Sequence, residues 1–274
     1  MKSKKKRNIS DTNLLLTITI VVFFAMYIGA MIFQGGGFLK TQTFFNILNA
    51  NAALLITSCG LSLVMITGGI DISVGGVVAL VSMSCGVYLD YMGGNVAMSI
   101  LIALGIGLAF GLVQGFLVAY LDIQPFIVTL AGMFFARGMT TIVHTDPFNV
   151  QNKAFVALKD TRVIVPGMGS VNRIGKYVDA YVEIGVIVAL LIVVLMFVML
   201  RWSKLGRAFY AVGGNKQSAL MLGINVKRTR FLAQLFSGVL AGIAGYVYFL
   251  HVGSGSAPHA TGMAMNAIAS SIIG

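Results

Sequence analysis

Seven apolar runs, each close to 20 residues long, constrain this chain more than any other feature. A helix needs about 20 mostly apolar residues to cross the hydrocarbon core of a bilayer. The chain has 274 residues and is only 10% charged, whereas soluble domains carry about 25% charged residues. We therefore predict an all-α, polytopic membrane bundle with spans at 14–33, 44–67, 71–90, 96–120, 126–144, 181–200 and 231–250.

Basic residues are concentrated before the first run and after the sixth. The first cluster is Lys2, Lys4, Lys5, Lys6 and Arg7, and the second is Arg201, Lys204, Arg207, Lys216, Lys227, Arg228 and Arg230. Six crossings separate the two clusters, so both fall on one side, as the positive-inside rule requires of cytoplasmic segments. We expect residues 1–13 and 201–230 in the cytoplasm and 145–180 outside. This topology accounts for the net charge of +11 without a nucleic-acid partner.

The segment 68–76 places a carboxylate, Asp71, between glycines and between two apolar runs. A charge at membrane depth is costly unless it is paired, hydrogen-bonded or wetted. Irregular backbone is tolerated there only where protein or a water-filled cavity covers it. The segment is either a tight turn between two full spans or a mid-membrane break between half-helices. In both cases it is a candidate for the solute pathway, in which Asp71 accepts hydrogen bonds from the next helix start.

The second basic segment contains the pattern of a short capped helix. Gly213-Gly214 permits a tight turn, Asn215 is a good N-cap for a helix over 216–222, and Gly223 can end that helix in the left-handed conformation. With Leu220 and Leu222 available, the helix fits either a groove on a partner protein or the surface of acidic membrane lipid.

Small residues recur every four positions in the fourth run, at Ala103, Gly107, Gly111, Gly115 and Ala119. Gly238 and Gly242 repeat the spacing in the last run. Such stripes let two helix backbones approach closely, and packing within the chain is the preferred interpretation. In the outward segment 145–180, prolines and glycines predict turns together with a short helix or a docking role.

Catalytic chemistry has no support in the sequence. There is no P-loop, no zinc-binding His-x-x-x-His pattern and no nucleophile elbow, so we predict no enzyme activity, no cofactor and no metal. Cys59 and Cys85 lie inside apolar runs and are interpreted as packing residues. A channel or secondary transporter for a small polar solute remains open, although Asp71 and Arg137 are the few candidate coupling charges within spans.

Three ordered motifs resemble the permease subunit of bacterial ABC sugar importers, in the ribose/galactose permease family and closest to its galactofuranose type. They are Gly68-Gly-Ile-Asp-Ile-Ser-Val-Gly75, Thr129-Leu-Ala-Gly-Met-Phe-Phe-Ala-Arg-Gly138 and Leu205-Gly-Arg-Ala-Phe-Tyr-Ala-Val-Gly-Gly-Asn215. The resemblance covers nearly the whole chain. It departs from the family at Gln217-Ser218, where Glu-Ala is usual, and beyond Gly274, where we expect a C-terminal portion to be missing.

This resemblance implies a single permease domain over 1–274 in the bacterial cytoplasmic (inner) membrane, with a type II importer fold. It implies three partners: a cytoplasmic ATP-binding subunit, a second permease forming a homodimer or heterodimer, and an extracytoplasmic solute-binding protein. The ATP-binding subunit would drive monosaccharide import. The implied pathway residues are Gly68, Gly69, Asp71, Ser73, Gly75, Thr129 and Arg137. The implied ATPase-coupling residues are Gly206, Arg207, Gly213, Gly214, Asn215, Ala219 and Gly223.

Overall fold

The computed structural model describes residues 11–34, 40–171 and 177–273, and these form a helical bundle. Six of its helices are long and apolar enough to cross a membrane. These six are α1 (Asp11–Gln34), α2 (Thr41–Ile66), α4 (Val96–Ala119), α5 (Pro125–Val143), α7 (Ile184–Trp202) and α10 (Val226–Val252). The shorter helices are α3 (Val74–Asp90), α6 (Lys153–Lys159), α8 (Lys204–Gly214), α9 (Lys216–Met221) and α11 (Met263–Ile273). The predicted polytopic helical fold is confirmed.

Strands occur only as two short antiparallel pairs within the described ranges. β1 (Phe148–Asn149) pairs with β4 (Ser254–Gly255), and β2 (Arg162–Val171) pairs with β3 (Tyr177–Glu183). The predicted short helix in 145–180 is α6. The β2–β3 hairpin was not predicted, because Pro166, Gly167 and Gly169 interrupt its alternation. They fall where the strand register shifts, between Val165 and Ser170.

The bundle has two distinct ends. One end carries α8 and α9, and Gly213 of α8 lies against the Ile66 carbonyl at the end of α2. The opposite end carries the β2–β3 hairpin, where Gln42 Nε2 at the start of α2 donates to the Tyr181 carbonyl. We call them the α8–α9 end and the hairpin end.

Helix α10 occupies the centre of the bundle and packs on α2, α3 and α4. Its contact with α4 is a glycine seam. A Cβ on Gly107 would collide with the Gly238 carbonyl and lie 2.9 Å from Gly242 Cα. A Cβ on Gly238 would lie 2.6 Å from Gly111 Cα. The small-residue stripe therefore packs within the chain, as predicted.

The predicted span 71–90 begins later than its sequence suggests. Helix α3 starts at Val74, has 17 residues and is buried for most of its length. Segment 67–73 is not helical. It follows the end of α2 and leads into the interior between α4, α5 and α10, which α3 contacts.

Candidate functional site

The end of α2 is shaped by Gly68, whose φ is +83°. Its N–H bonds to the Met65 carbonyl and the Gly69 N–H bonds to the Val64 carbonyl, each at 2.9 Å. This arrangement is a Schellman motif, in which a left-handed glycine satisfies the last carbonyls of a helix. Gly69 follows without space for a side chain, because a Cβ there would lie 3.0 Å from Val64 Cγ1 and 3.3 Å from Pro125. The two glycines thus turn the chain sharply back into the bundle.

Asp71 is the centre of a closed polar network and is only 1% exposed. One carboxylate oxygen accepts from the Ser73 N–H at 3.0 Å and from the Ser73 hydroxyl at 2.6 Å. The other accepts from Gln234 Nε2 at 3.0 Å and from the Ser237 hydroxyl at 2.7 Å. A buried carboxylate is tolerated when it is this fully hydrogen-bonded. The predicted bond to the following helix start is therefore present, at Ser73.

Gln114 of α4 closes the network from a third side. Its Oε1 accepts from the Ser73 hydroxyl at 3.1 Å and from Gln234 Nε2 at 3.0 Å. Its Nε2 is buried against Gly132 and has no hydrogen-bond partner among the described residues. Gln114, Gln234 and Ser237 were missed in the sequence analysis. In the sequence, each of the three is a polar amide or hydroxyl side chain inside an apolar run, and no motif surrounds it.

The network lies inside the bundle, not at its surface. At 1.5 Å per residue, Gln234 is about 12 Å from the start of α10 and Gln114 about 8 Å from the end of α4. Thr129, whose hydroxyl donates to the Ile70 carbonyl at 3.2 Å, is about 6 Å from the start of α5. Segment 67–73 is therefore a turn that re-enters the bundle from the α8–α9 end. It combines features of both alternatives raised by the sequence.

The two remaining pathway candidates lie further from Asp71. A Cβ on Gly75 would lie 3.1 Å from the Ala260 carbonyl, in the segment that joins α10 to α11. The half-buried Arg137 of α5 donates to the carbonyls of Ala257 and His259, at 2.9 and 2.6 Å. Both residues thus contact the segment before α11, and neither contributes to the Asp71 network.

The coupling candidates form two capped helices. Ser203 caps α8 by accepting from the Gly206 N–H at 3.0 Å, and Asn215 caps α9 by accepting from the Ser218 N–H at 2.9 Å. Gly223 follows α9 with φ +76°. The N-cap at Asn215 and the left-handed glycine that follows α9, Gly223, agree with prediction. Arg207 bonds locally, through its guanidinium to the Trp202 carbonyl at 3.3 Å.

One expectation for this region was wrong, and one helix was missed. Gly213-Gly214 does not form a separate turn, because both residues complete α8, and the chain changes direction at the extended Asn215. The helix α8 itself was not predicted, although its apolar residues Phe209 and Val212 bury one face. Ala219 is 1% exposed and so packs against the permease, whereas Leu220, Met221 and Leu222 are 59%, 87% and 77% exposed.

An ion pair between a largely buried arginine and an exposed carboxylate joins the helices near α9. Arg230 of α10 donates to Asp122 in the α4–α5 turn at 2.7 Å. The hydrogen bond and positive charge of Arg230 hold the pKa of Asp122 below its usual range. Asp122 and Arg230 line a cavity of about 650 Å³ together with Lys216, Leu220 and Lys227. The α8–α9 end thus presents a cationic recess beside the exposed apolar tip of α9.

Comparison with known proteins identifies the family. The family described as "Branched-chain amino acid transport system / permease component" matches residues 43–274. The chain is 34% identical to the fructose import permease protein FruG of Bifidobacterium longum, over 100% of this chain and 79% of that protein. It is 36% identical to the inner membrane ABC transporter permease protein YjfF of Escherichia coli, over 96% and 76%.

A third relative is the ribose import permease protein RbsC of Escherichia coli, which is 31% identical over 86% of this chain and 70% of its own length. No solved structure matches the chain significantly. None of these names bears on the galactofuranose subgroup, which stays a prediction. The chain therefore belongs to this permease family, as an ABC sugar importer permease of the ribose/galactose type.

Proposed function

We propose that this permease imports a monosaccharide into the bacterial cytoplasm and that its α8–α9 end faces the ATP-binding subunit. The observation that carries the proposal is the exposed apolar tip of α9, made of Leu220, Met221 and Leu222. Three consecutive apolar side chains at a capped helix end, outside the spans, are suited to a groove on a partner protein.

Charge supports the cytoplasmic placement of this end. The helices and turns there carry the second basic cluster, whereas the hairpin end mixes basic residues with Asp146, Asp160 and Asp179. Basic residues favour the cytoplasmic side of a membrane protein. We therefore place 201–230 and the N-terminal tail 1–13 in the cytoplasm, and treat 1–274 as one permease domain.

The contacts of α8 and α9 suggest how a push from the ATPase reaches the membrane. Ala219 anchors α9 on the permease, and Gly213 of α8 touches the Ile66 carbonyl at the end of α2. The next residues of the chain are the Gly68 turn and the segment that carries Asp71. Motion of the α8–α9 unit would thus act directly on the re-entrant turn. On this proposal the shape of the solute pathway is set by residues that support its wall. They are Gly68, Gly69, Asp71, Ser73, Thr129 and Gly75.

The remaining partners follow from the importer architecture that the relatives share. We propose a second permease, identical or paralogous, and an extracytoplasmic solute-binding protein that docks on the hairpin end. Near that end a cavity of about 500 Å³ is lined by Asp90, Tyr91 and Gln151 among others. The relatives named for fructose and ribose support a sugar as the solute, rather than a branched-chain amino acid.

The test is uptake by the complete importer in liposomes, with its ATP-binding subunit inside and its solute-binding protein outside. We expect ATP-dependent uptake of D-fructose or D-ribose and none of L-leucine. A charge at the α9 tip, in Met221→Asp or Leu222→Asp, should abolish co-purification of the ATPase and reduce uptake at least about tenfold, which corresponds to 1.4 kcal/mol of lost coupling.

The matched control is Met92→Asp, which places the same charge on a 72% exposed methionine at the hairpin end. It should leave ATPase binding unchanged. Normal ATPase binding and uptake in both α9 variants would contradict the coupling role. Uptake that persists without ATP would instead favour a channel or a secondary transporter.

A further inference from the structure

A second irregular segment enters the bundle, this time from the hairpin end. Helix α10 ends at Gly253, which is left-handed with φ +70°, and α11 begins at Met263. The Ser82 hydroxyl of α3 donates to the Ser254 carbonyl at 3.1 Å, and the Ala260 carbonyl lies beside Gly75. Ser82 and Gly75 are seven residues apart on α3, so segment 253–262 descends about 10 Å along it.

Arg137 fixes the shape of this segment. Its guanidinium donates to two carbonyls of the segment, those of Ala257 and His259. The Ser82 hydroxyl also lies 3.4 Å from His259 Nδ1. Irregular backbone at membrane depth persists only where protein covers it or where it lines a water-filled cavity. Segment 253–262 is covered on the α3 and α5 sides by these contacts.

On its other side the segment borders a cavity of about 360 Å³ between α2, α10 and α11. This volume falls in the range of small-molecule sites, about 300–1,000 Å³. Its polar lining consists of Asn51, Tyr248, His259, Thr261 and Asn266. These side chains are amides, hydroxyls and an imidazole, and no lysine, arginine, aspartate or glutamate is among the described residues that line the cavity. The His259 and Tyr248 rings meet edge to face, 5.4 Å apart.

Two asparagines of this lining have unused hydrogen-bonding capacity. Asn266 is exposed, and its side chain makes no hydrogen bond within the described part of the chain. Asn51 is exposed as well, and its Nδ2 donates to the Ile47 carbonyl at 2.8 Å while Oδ1 is left to accept. Polar side chains at membrane depth that faced lipid would be left unsatisfied, at a cost of several kcal/mol.

Asn51 does lie at membrane depth. It is ten residues after Thr41, or about 15 Å from the hairpin end of α2. Helix α2 has 26 residues and is about 39 Å long, some 9 Å more than the hydrocarbon core of about 30 Å. Even if this whole surplus projected at the hairpin end, Asn51 would still lie about 6 Å inside the core. The face that it shares with Asn266 is therefore covered by water or by protein, not by lipid.

We infer that this cavity is the contact site for the transported solute, which is a neutral polyhydroxylated molecule of monosaccharide size. The inference rests on the proposed function and names the residues that bind. Amide and hydroxyl groups complement sugar hydroxyls, the Tyr248 ring offers an apolar surface, and the uncharged lining disfavours a zwitterionic amino acid. The Asp71 network, in contrast, is closed and buried, so its role is to hold the re-entrant turn.

A second cavity at membrane depth does not suit such a solute. It has a volume of about 410 Å³, lies between α4 and α5, and is lined by Phe110, Phe135 and aliphatic side chains. Its one polar lining residue, Gln114, is committed to the Asp71 network through Oε1. The two cavities thus differ in lining chemistry, and only the one before α11 offers several free hydrogen-bonding groups.

The test is cysteine labelling of the reconstituted importer complex with a membrane-impermeant methanethiosulfonate reagent. Asn51→Cys and Asn266→Cys are made in a background that lacks Cys59 and Cys85 and still transports. The control is Val194→Cys on α7, which is 60% exposed and also ten residues from the hairpin end of its helix. A thiol reacts as the thiolate, which forms in water, so both asparagine positions should label at least about tenfold faster than position 194.

Saturating D-fructose or D-ribose, whichever the complex imports, should slow labelling at positions 51 and 266, and L-leucine should not. Labelling no faster than at Val194→Cys, or labelling that sugar does not slow, would overturn the inference. These results are separable from the proposed function. If the unmodified complex imports neither sugar, the proposed function itself fails. If it imports a sugar that does not slow labelling, only the assignment of this site fails.

Discussion

Replacing Asp71 by alanine should destabilise the permease substantially, because it removes the acceptor of four hydrogen bonds in a closed site. Gln234 Nε2 and the Ser73 hydroxyl would keep a partner in Gln114 Oε1. The Ser73 N–H and the Ser237 hydroxyl would lose theirs. Two buried donors left unmet at about 1–3 kcal/mol each, plus the lost charge-assisted bonds, give a cost of about 3–5 kcal/mol. This is a large fraction of a typical stability of about 5–15 kcal/mol.

Asp71→Asn should be milder, at about 1–2 kcal/mol. The asparagine oxygen can still accept from the Ser73 N–H and hydroxyl, and its amide can donate to the Ser237 hydroxyl after that group rotates. Only the bond from Gln234 Nε2 is lost, because the asparagine amide that would face it is itself a donor. Gln234 Nε2 still donates to Gln114 Oε1. The expected order of stability is wild type, then Asp71→Asn, then Asp71→Ala.

The assay is reversible unfolding of the purified permease in mixed micelles, followed by helical circular dichroism, with ATP-driven sugar uptake as a second readout. The control is Asp146→Ala, which removes an exposed carboxylate that makes no hydrogen bond or ion pair among the described residues and should leave the unfolding curve unchanged. If Asp71→Ala unfolds and transports like wild type, the network does not hold the re-entrant turn and the reasoning is refuted.

Two further predictions concern glycines. Gly107→Leu should lower the free energy of unfolding by about 1–3 kcal/mol by overpacking the seam with α10, whereas Gly105→Leu, with open space around it, should change it little. The unfolding midpoints of the two variants test this prediction. Equal midpoints would disprove the seam. Gly223→Val forces a β-branched residue into the left-handed region at about 1–2 kcal/mol and should mis-aim α9, so ATP-driven uptake should fall at normal membrane abundance, unlike in Gly105→Val, a change at a helical glycine with open space around it. Equal uptake by both variants would contradict the need for the stop at Gly223.

The spans and helix caps could be predicted because their signals are local. The apolar runs gave α1, α2, α4, α5, α7 and α10 within a few residues, since span length follows directly from bilayer thickness. Asn215 and Gly223 act on neighbouring backbone groups, so their roles follow from residue type and spacing alone.

The partners of Asp71 could not be predicted, because the contacts that matter join distant parts of the chain. Gln234 and Ser237 are more than 160 residues away from Asp71, and in the sequence they are polar residues within an apolar helix. The cavity before α11 was missed for the same reason. Its lining comes from three helices and from the irregular segment between Gly253 and Gly262.

The seam between α4 and α10 has a mechanical consequence. Because backbone meets backbone at Gly107, Gly111 and Gly238, no side chain can change rotamer to let one helix slide along the other. We therefore expect the two helices to move as one rigid lever, roughly 40 Å long at 1.5 Å per residue for the 27 residues of α10. A tilt imposed at Val226, next to α9, would displace Gly253 in the opposite direction. The transport cycle would then open one mouth as it shuts the other.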